Sequence, residues 1–377
     1  MTEGVGKKPV TLTEFMLHKA SRSRIPLSGT FELSPVCNFS CQMCYVRRTA
    51  KEVKEHERPM VSSEQWLKIA EEAREAGMLY LLLTGGEPLL WPDFWNLYEK
   101  LVRMGFLVAV NTNGSLLDQD ALERFRRLPP RRINITLYGA SDGTYEKLCR
   151  VKGVFSKVDR AVMGLKEAGI QVKLNCSLTP ANADDLEEMV RYAKERKLIL
   201  DIASYMFPPV RRDPTLIGEN KRFTPEESAR YRLKAYRLQN GEEKYQEYLN
   251  KVLEGKFSIP EKAESCAEPM DGSIRCRAGN ASFWITWDGW MTPCGMMSAP
   301  GQDLYEMDFK TAWERLSQTC SSLKLSGICK RCTAQEFCHV CAAMACAETG
   351  AVSGRPEYLC ETVRCLKEIA GKEAGRK

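Results

Sequence analysis

The sequence contains no run of about 18 apolar residues, the minimum length for a helix that crosses a membrane. Its first residues, MTEGVGKKPVTLTEFML, lack the apolar stretch of a secretory signal. Neither charge sign dominates, because 55 basic residues stand against 49 acidic ones and leave a net charge of +6. This excess is too small to indicate a dedicated nucleic-acid-binding domain. The sequence therefore predicts a cytoplasmic protein without a membrane segment or a nucleic-acid partner.

Cysteine is abundant, with 16 among the 377 residues. Thiols stay reduced in the cytosol, so this number indicates metal or redox chemistry rather than disulfides. The early ones are Cys37, Cys41 and Cys44, the solitary ones are Cys149 and Cys176, and eleven more follow residue 265. Such clustering predicts at least two separate metal-binding regions, whereas the two solitary cysteines are expected to be buried apolar residues.

Six short apolar runs alternate with amphipathic segments between residues 28 and 210. The runs are GTFELSPV, MLYLLLTG, FLVAVNTNG, INITLYG, QVKLNCSLT and LILDIASYM, and the predicted helices span 63–76, 93–104, 118–128, 155–168 and 183–196. This β/α alternation predicts an α/β fold with a parallel sheet and crossover helices. Functional residues are then expected at the carboxyl ends of the strands.

The composition of the sequence changes after residue 210. Prolines at 208, 209 and 214 mark a linker, and residues 224–256 predict one or two exposed helices. From Cys266 onward the chain is rich in Cys, Gly and Trp, and only 308–318 and 357–371 look helical. Metal centres are expected to stabilise such a segment, with a small core formed by Phe283, Trp284, Trp287 and Trp290. The predicted divisions are an N-terminal extension (1–27), a β/α domain (28–210), a helical bridge (211–265) and a cysteine-rich domain (266–377).

The early cysteines read Cys37-Asn-Phe-Ser-Cys41-Gln-Met-Cys44-Tyr45 and directly follow the first predicted strand. Three thiolates leave one position of a metal centre without a protein ligand, and open sites do chemistry. His56 is the candidate for a fourth ligand, and its alternative is a solvated loop residue.

A C-x3-C-x2-C motif followed by an aromatic residue, at the end of the first strand of a six-fold β/α pattern, resembles the radical S-adenosylmethionine (radical SAM) superfamily. The resemblance implies a partial (β/α)6 TIM-like barrel in which the three cysteines hold a 4Fe–4S cluster and SAM chelates its fourth iron. It also implies an enzyme that receives one electron from a flavodoxin- or ferredoxin-type donor. SAM is then cleaved to a 5′-deoxyadenosyl radical that abstracts hydrogen from a substrate.

The family's SAM contacts have counterparts in this sequence. The segment Thr84-Gly85-Gly86-Glu87-Pro88 resembles the GGE motif that binds the SAM amino group, and its alternative is a plain turn. Two glycines let the backbone approach a ligand closely, and the carboxylate accepts from an ammonium group. The other SAM-contact candidates are Tyr45, Asn113, Thr136 in place of a ribose-contacting serine, and Arg150 for the carboxylate, while Asn175, Ser177 and Tyr205 are expected to face the pocket.

Two positions near these contacts differ from the family's pattern or have a second interpretation. Tyr138 stands where relatives often have aspartate, a departure from the family's ribose contact. Arg150 could equally be a surface salt-bridge residue.

The late cysteines resemble the SPASM domain, a C-terminal extension of radical SAM enzymes that holds two auxiliary 4Fe–4S clusters. Cys276 and Cys294 fit its C-x9-15-G-x4-C block, and 329–341 fit the C-x2-C-x5-C-x3-C block with its last gap one residue short. The resemblance implies one auxiliary cluster on Cys276, Cys294, Cys341 and Cys266, with Cys346 as the second choice for the fourth ligand, and another on Cys329, Cys332, Cys338 and Cys360. Cys320 and Cys365 are left spare. Zinc at the second block is the alternative.

The resemblance leaves the substrate open. SPASM enzymes mostly act on peptides or proteins, so a ribosomally made peptide that is crosslinked, joined through a thioether or otherwise oxidised is the first choice. Tailoring of a haem-like small molecule is the alternative. The sulfatase-maturing branch is disfavoured, because Gly295 follows Cys294 where that branch has aspartate. With about thirty residues before the first strand, a separate protein is expected to bind any leader peptide. The charged segment 47–58 is either a solvated loop or part of a peptide-binding rim.

Overall fold

The computed structural model describes residues 11–255 and 276–375. Its nine strands form one sheet in the order β6-β5-β4-β3-β2-β1-β7-β8-β9. The strands are β1 (Ser28–Glu32), β2 (Tyr80–Thr84), β3 (Leu107–Thr112), β4 (Arg132–Thr136), β5 (Val172–Ser177), β6 (Ile199–Ala203), β7 (Ser282–Ile285), β8 (Trp290–Thr292) and β9 (Gln302–Asp303). Neighbouring strands from β1 to β6 are parallel, which confirms the predicted α/β fold and its six-fold repeat.

One helix precedes the first strand, and others follow each of the first five strands and continue after the sixth. They are α1 (Leu12–Ser23), α2 (Ala50–Lys54), α3 (Ser63–Glu75), α4 (Phe94–Arg103), α5 (Gln119–Arg127), α6 (Asp142–Cys149), α7 (Phe155–Glu167), α8 (Leu186–Glu195), α9 (Pro225–Asn240), α10 (Glu242–Glu254), α11 (Phe309–Ser322), α12 (Gly327–Arg331), α13 (Gln335–Cys338), α14 (Ala342–Thr349) and α15 (Glu357–Ala374). None of those in the described ranges combines the length and apolar character needed to cross a membrane.

Local sequence explains where the barrel helices begin and end. Ser62 caps α3 by accepting from the Gln65 amide, and Asp118 caps α5 by accepting from the Ala121 amide. Gly77 has a positive φ of 103°, which turns the chain from α3 into β2 at no steric cost. These turns bring the carboxyl ends of β1 to β6 to one edge of the sheet, where side chains from distant parts of the chain meet.

The C-terminal strands extend the same sheet. Strand β7 pairs in parallel with β1, with Ser28 opposite Ser282, and β8 and β9 follow as antiparallel strands. Phe283 therefore packs with Phe309 and Trp313 in the main hydrophobic core rather than in a small separate one. A second core lies between α9, α10 and α15. The sequence shows no signal for the short helices α12 to α14, because four to eight residues are too few to show a helical period.

Candidate functional site

The cysteine triplet lies on a loop that follows β1, and backbone hydrogen bonds to neighbouring segments hold this loop in place. The Leu33 amide donates to the Thr84 carbonyl at 2.9 Å, and the Ser40 amide donates to the Cys149 carbonyl at 2.9 Å. A side chain on Gly85 would overlap the Ser34 carbonyl oxygen, so glycine is required where β2 ends against this loop. Gly85 therefore allows the end of β2 to approach the cysteine loop closely.

A cavity of about 370 Å³ opens at the carboxyl ends of the strands and contains most of the predicted site residues. Those that line it are Cys37, Cys41, Cys44, Tyr45, Gly85, Gly86, Asn113, Thr136, Tyr138, Ser177 and Tyr205. The cavity is also lined by Arg47, at the start of the charged segment 47–58, and by five residues without a predicted role, namely Phe39, Met43, Met206, Phe207 and Met296. No periodic signal distinguishes such residues from ordinary core residues in the sequence.

The thiols of the triplet receive hydrogen bonds. The Phe39 amide donates to Cys37 Sγ and the Arg47 amide donates to Cys44 Sγ, both at 3.3 Å. A hydrogen bond from the Cys149 thiol lowers the pKa of Cys41, and Tyr138 adds to this effect against the opposing effect of burial. Burial raises the pKa of Cys37 to about 12 and also raises that of Cys44. Donors aimed at sulfur stabilise thiolates and tune iron–sulfur clusters. The donor set therefore fits a cluster held by three thiolates, and Cys149 is both buried and in contact with this set.

The spacing of the thiols also bears on the kind of metal centre. Within residues 11–255 and 276–375, no three His, Cys, Asp or Glu side chains converge closely enough to hold a single metal ion. A zinc ion needs its ligands about 2.0–2.3 Å from one point, whereas each thiolate of a cubane cluster binds a different iron. The preference for a cluster over zinc therefore rests on the open three-cysteine motif.

Glu87 lies beneath the cavity rather than in its wall. Its side chain is fully buried, and its oxygens accept from Thr112 Oγ1 at 2.8 Å, the Asn113 amide at 2.7 Å and the Leu89 amide at 3.2 Å. Burial raises the pKa of Glu87 to about 7, against the opposing effect of these donors. A carboxylate offers about four acceptor positions, so one remains for a further donor.

Three predicted residues lie away from the cavity. Arg150 is exposed at the end of α6 with a φ of 62°, and it does not line the cavity. The ring of His56 packs 4.8 Å from that of Trp287, and its Nδ1 accepts from the Arg58 amide at 3.3 Å. Asn175 lines a neighbouring cavity along β6. The structure thus does not bring His56 to the triplet or Arg150 to the other SAM-contact candidates.

The charged segment 47–58 contains α2 and is anchored at its end. Arg58 forms a bidentate pair with Asp303, with both distances 2.7 Å, and lies between the rings of Trp290 and Tyr305. These contacts fix the end of the segment to the C-terminal strands.

The C-terminal cysteines gather in two groups. In the first group, burial and then the neighbouring thiols of Cys341 and Cys276 raise the pKa of Cys294 to about 11. Burial and then Cys276 and Cys294 raise the pKa of Cys320 to about 12, so Cys320, predicted to be spare, lies beside this group. Cys266 lies outside the described residues. The pKa of Cys346 is raised by burial alone, without a neighbouring thiol.

The second group contains the predicted ligands of the other auxiliary cluster. Burial raises the pKa of Cys338 to about 12, and the nearby thiols of Cys360, Cys329 and Cys332 add to the effect. The charged neighbours of Cys365 are Glu361, Glu368 and Glu226, with no thiol among them, so Cys365 lies outside both groups.

A buried ion pair joins the cavity to the first C-terminal group. Arg211 donates to both oxygens of Glu32 at 2.6 and 2.7 Å, and to the Gly295 carbonyl at 2.9 Å. Glu32 also accepts from Trp284 Nε1 at 3.0 Å, and the Arg211 guanidinium lies 5.4 Å from the centre of the Tyr45 ring. The side chain of Arg211 therefore contacts both Tyr45, which adjoins Cys44, and Gly295, which adjoins Cys294.

Comparison with known proteins agrees with this geometry. Residues 31–193 match the model of the Radical SAM superfamily. The AdoMet-dependent heme synthase of Methanosarcina barkeri is 23% identical over 89% of this chain and 95% of its own length. The PqqA peptide cyclase of Granulibacter bethesdensis is 28% identical over 51% of each chain, so this chain spans about half of that relative.

Among solved structures, Streptococcus suis SuiB bound to its precursor peptide SuiA is similar over 96% of this chain and 84% of its own, with a TM-score of 0.62 and 16% identity. That likeness shows the fold. The family match rests on the segment that carries the cysteine loop and the strands β1 to β5, and the cofactors it supports are SAM and a 4Fe–4S cluster. Residues 31–193 therefore form a radical SAM domain, and the protein that carries it is an enzyme.

Proposed function

We propose that this enzyme modifies a peptide, and that the size of the cavity carries this conclusion. At about 370 Å³ the cavity is near the lower end of the range of about 300–1,000 Å³ for small-molecule sites. SAM bound there leaves little enclosed room for a second large, rigid molecule. A peptide needs less enclosed room, because one side chain can enter the cavity while the main chain stays outside.

The named relatives support this class of substrate. One is a PqqA peptide cyclase, and SuiB is described in complex with a precursor peptide. The sulfatase-maturing alternative is disfavoured on steric grounds as well, because a Cβ atom at Gly295 would lie 2.8 Å from the Trp284 ring. An aspartate at this position requires the indole to move.

Within the site, each group of residues has a proposed role. Cys37, Cys41 and Cys44 hold the cluster, which supplies the electron for reductive cleavage of SAM. Glu87 would accept from the SAM amino group through its remaining acceptor position, and Asn113 and Thr136 would offer polar contacts to SAM. Tyr45 packs behind the triplet. The apolar rim of Met206, Phe207 and Met296 excludes water from the reacting centre.

Two auxiliary 4Fe–4S clusters complete the proposal, for a total of three. Cys276, Cys294 and Cys341 hold one, with Cys266 as the fourth ligand, and Cys329, Cys332, Cys338 and Cys360 hold the other. The gathering of the described members into two separate groups of thiols supports this assignment. An external one-electron donor and a separate leader-binding protein are the proposed partners, and the proposed C-terminal domain begins at residue 266.

Turnover of peptides tests the function. We expect the anaerobically reconstituted enzyme, given SAM and a reductant, to remove two hydrogens from members of a peptide pool, as read by mass spectrometry. Deuterium should pass from a labelled peptide residue into deoxyadenosine. Deuterium transfer from a haem precursor with no peptide turned over would overturn the peptide assignment.

One observation favours a haem-like substrate as the second candidate. The heme synthase is the relative that aligns over 95% of its own length, whereas the peptide cyclase aligns over 51%. A haem-like substrate is therefore the second candidate, and both substrates belong in the same turnover assay.

The Glu87→Gln variant should bind SAM about 10–100 times more weakly, because one charge-assisted hydrogen bond contributes about 1.5–3 kcal/mol. The ionised form is the acceptor, and its pKa is raised to about 7, so wild-type affinity should rise with pH up to about 7 and level off above it. The variant should lack this dependence. The measurement is anaerobic calorimetry between pH 6 and 8, with exposed Glu99→Gln as the matched control. An unchanged affinity in Glu87→Gln would contradict the assignment.

A further inference from the structure

Strand β6 ends the sheet on one side. Within the described residues it pairs with β5 alone, and three of its five residues are exposed. The side chain of Ile199, at its beginning, is 67% exposed. An edge strand presents unpaired backbone groups that another extended chain can use.

The hydrogen bonds show which backbone groups face outward. The Leu178 amide donates to the Ala203 carbonyl at 2.8 Å, so Ala203 faces β5. Backbone groups alternate sides along a strand, so those of Leu200 and Ile202 point away from β5. Gln239 confirms this direction, because its Nε2 donates to the Leu200 carbonyl at 2.6 Å. In the described part of the chain, Gln239 is the one partner recorded on this edge.

A groove of about 670 Å³ runs along this edge. Besides the strand itself, the side-chain amides of Gln239 and Asn240 line it, and both can donate to and accept from a peptide main chain. Ser177 and Ala203 line both this groove and the candidate cavity. The groove and the candidate cavity therefore adjoin each other at the carboxyl ends of β5 and β6.

We propose that the outward edge of β6 binds an extended segment of the substrate peptide by strand addition and leads the adjoining residues into the cavity. The substrate class rests on the proposed function. Gln239 already occupies the Leu200 carbonyl, so main-chain hydrogen bonds to the Leu200 amide and to the amide and carbonyl of Ile202 hold the segment, and binding tolerates many sequences. At about 3.3 Å per residue, the five residues of β6 span about 16 Å, which suits a short extended segment rather than a folded domain.

Hydrogen–deuterium exchange of the reconstituted, SAM-bound enzyme tests this. The probe is a pool of short, unstructured synthetic peptides, and turnover of the same pool is followed by mass spectrometry. We expect the amides of Leu200 and Ile202 to exchange at least fivefold more slowly with the pool. Strand β9, at the opposite end of the sheet, serves as an internal reference and should not change.

The outcomes separate the two proposals. Turnover without protection of β6 would overturn strand addition and leave the proposed function standing. Protection without turnover would support a peptide-binding edge and count against the proposed function. Neither protection nor turnover would overturn both. Equal protection of β9, or protection that appears only as the enzyme dimerises, would also overturn strand addition by peptide.

Backbone N-methylation gives a signature that other binding modes lack. Methylation of successive residues in a bound peptide should weaken binding about tenfold at alternate positions, because only every second amide faces β6.

A proline variant tests the same edge from the side of the enzyme. Ile202→Pro removes one outward donor at an edge position that tolerates proline, and it should raise the KM for a bound peptide about tenfold. Ile202→Val keeps the donor and should stay within twofold. Unchanged SAM affinity in Ile202→Pro shows that the barrel is intact, and a methylation profile without period two would overturn the proposal.

Discussion

Replacing Cys37, Cys41 and Cys44 together by alanine should reduce deoxyadenosine formation to background. The three thiols line one cavity, and alanine supplies no ligand in their place. The loss should be local, because the two C-terminal groups of thiols have no ligand on this loop. With three clusters proposed, iron should fall from about twelve to about eight per chain.

The control for this variant is Cys365→Ala, which removes a cysteine outside all three groups. It should retain the iron content and the SAM cleavage of the wild type. Iron analysis, the absorbance of the reconstituted protein and chromatography of deoxyadenosine are the measurements. SAM cleavage by the triple variant at the wild-type rate would refute the assignment, and stoichiometric zinc in place of iron would refute the clusters.

The sequence predicted the barrel strands and the cysteine loop because their signals are local. Each strand is a short apolar run followed by a helix, and the triplet occupies eight consecutive residues. The six predicted strands and the predicted radical SAM family are confirmed. The sequence predicts that a side chain lies near the cavity only where its residue directly follows a strand, as Asn113 follows β3.

The remaining features depend on contacts between residues far apart in the chain. Glu32 and Arg211 are separated by 179 positions, and neither has a local pattern that predicts a buried pair. The pairing of β7 with β1 likewise has no signal in a four-residue strand. Cys149 was correctly predicted to be buried, but its contact with Cys41 depends on where α6 ends against the loop. Arg150 ends the same helix facing solvent, which a motif match alone could not show.

The Glu32–Arg211 pair leads to the second large effect. Their side chains are 1% and 10% exposed, so both charges have lost most of their hydration. Removal of one member of a buried pair costs about 3–5 kcal/mol, because the other charge is left without compensation. Arg211→Met should therefore destabilise the protein by about that amount and lower its melting temperature by on the order of 10 °C. The measurement is thermal unfolding of the reconstituted protein under anaerobic conditions.

A matched control and a double variant separate the ion pair from general damage. Arg103→Met breaks an exposed pair with Glu99, with side chains 71% and 54% exposed, and should cost about 0–1 kcal/mol. Arg211→Met combined with Glu32→Gln removes both charges, and its loss should be smaller than that of Arg211→Met alone. Equal losses in the single and double variants would show that the charge on Glu32 is not the cause.

The same pair should also couple the two metal-binding regions. Arg211 holds the Gly295 carbonyl, next to Cys294, and lies over the Tyr45 ring, next to Cys44. Arg211→Met frees both loops at once, so it should weaken SAM binding and also make the auxiliary iron easier to remove with a chelator. Arg103→Met should change neither quantity. If Arg211→Met lowered the melting temperature but left both quantities as in the wild type, the pair would stabilise the fold without joining the two sites.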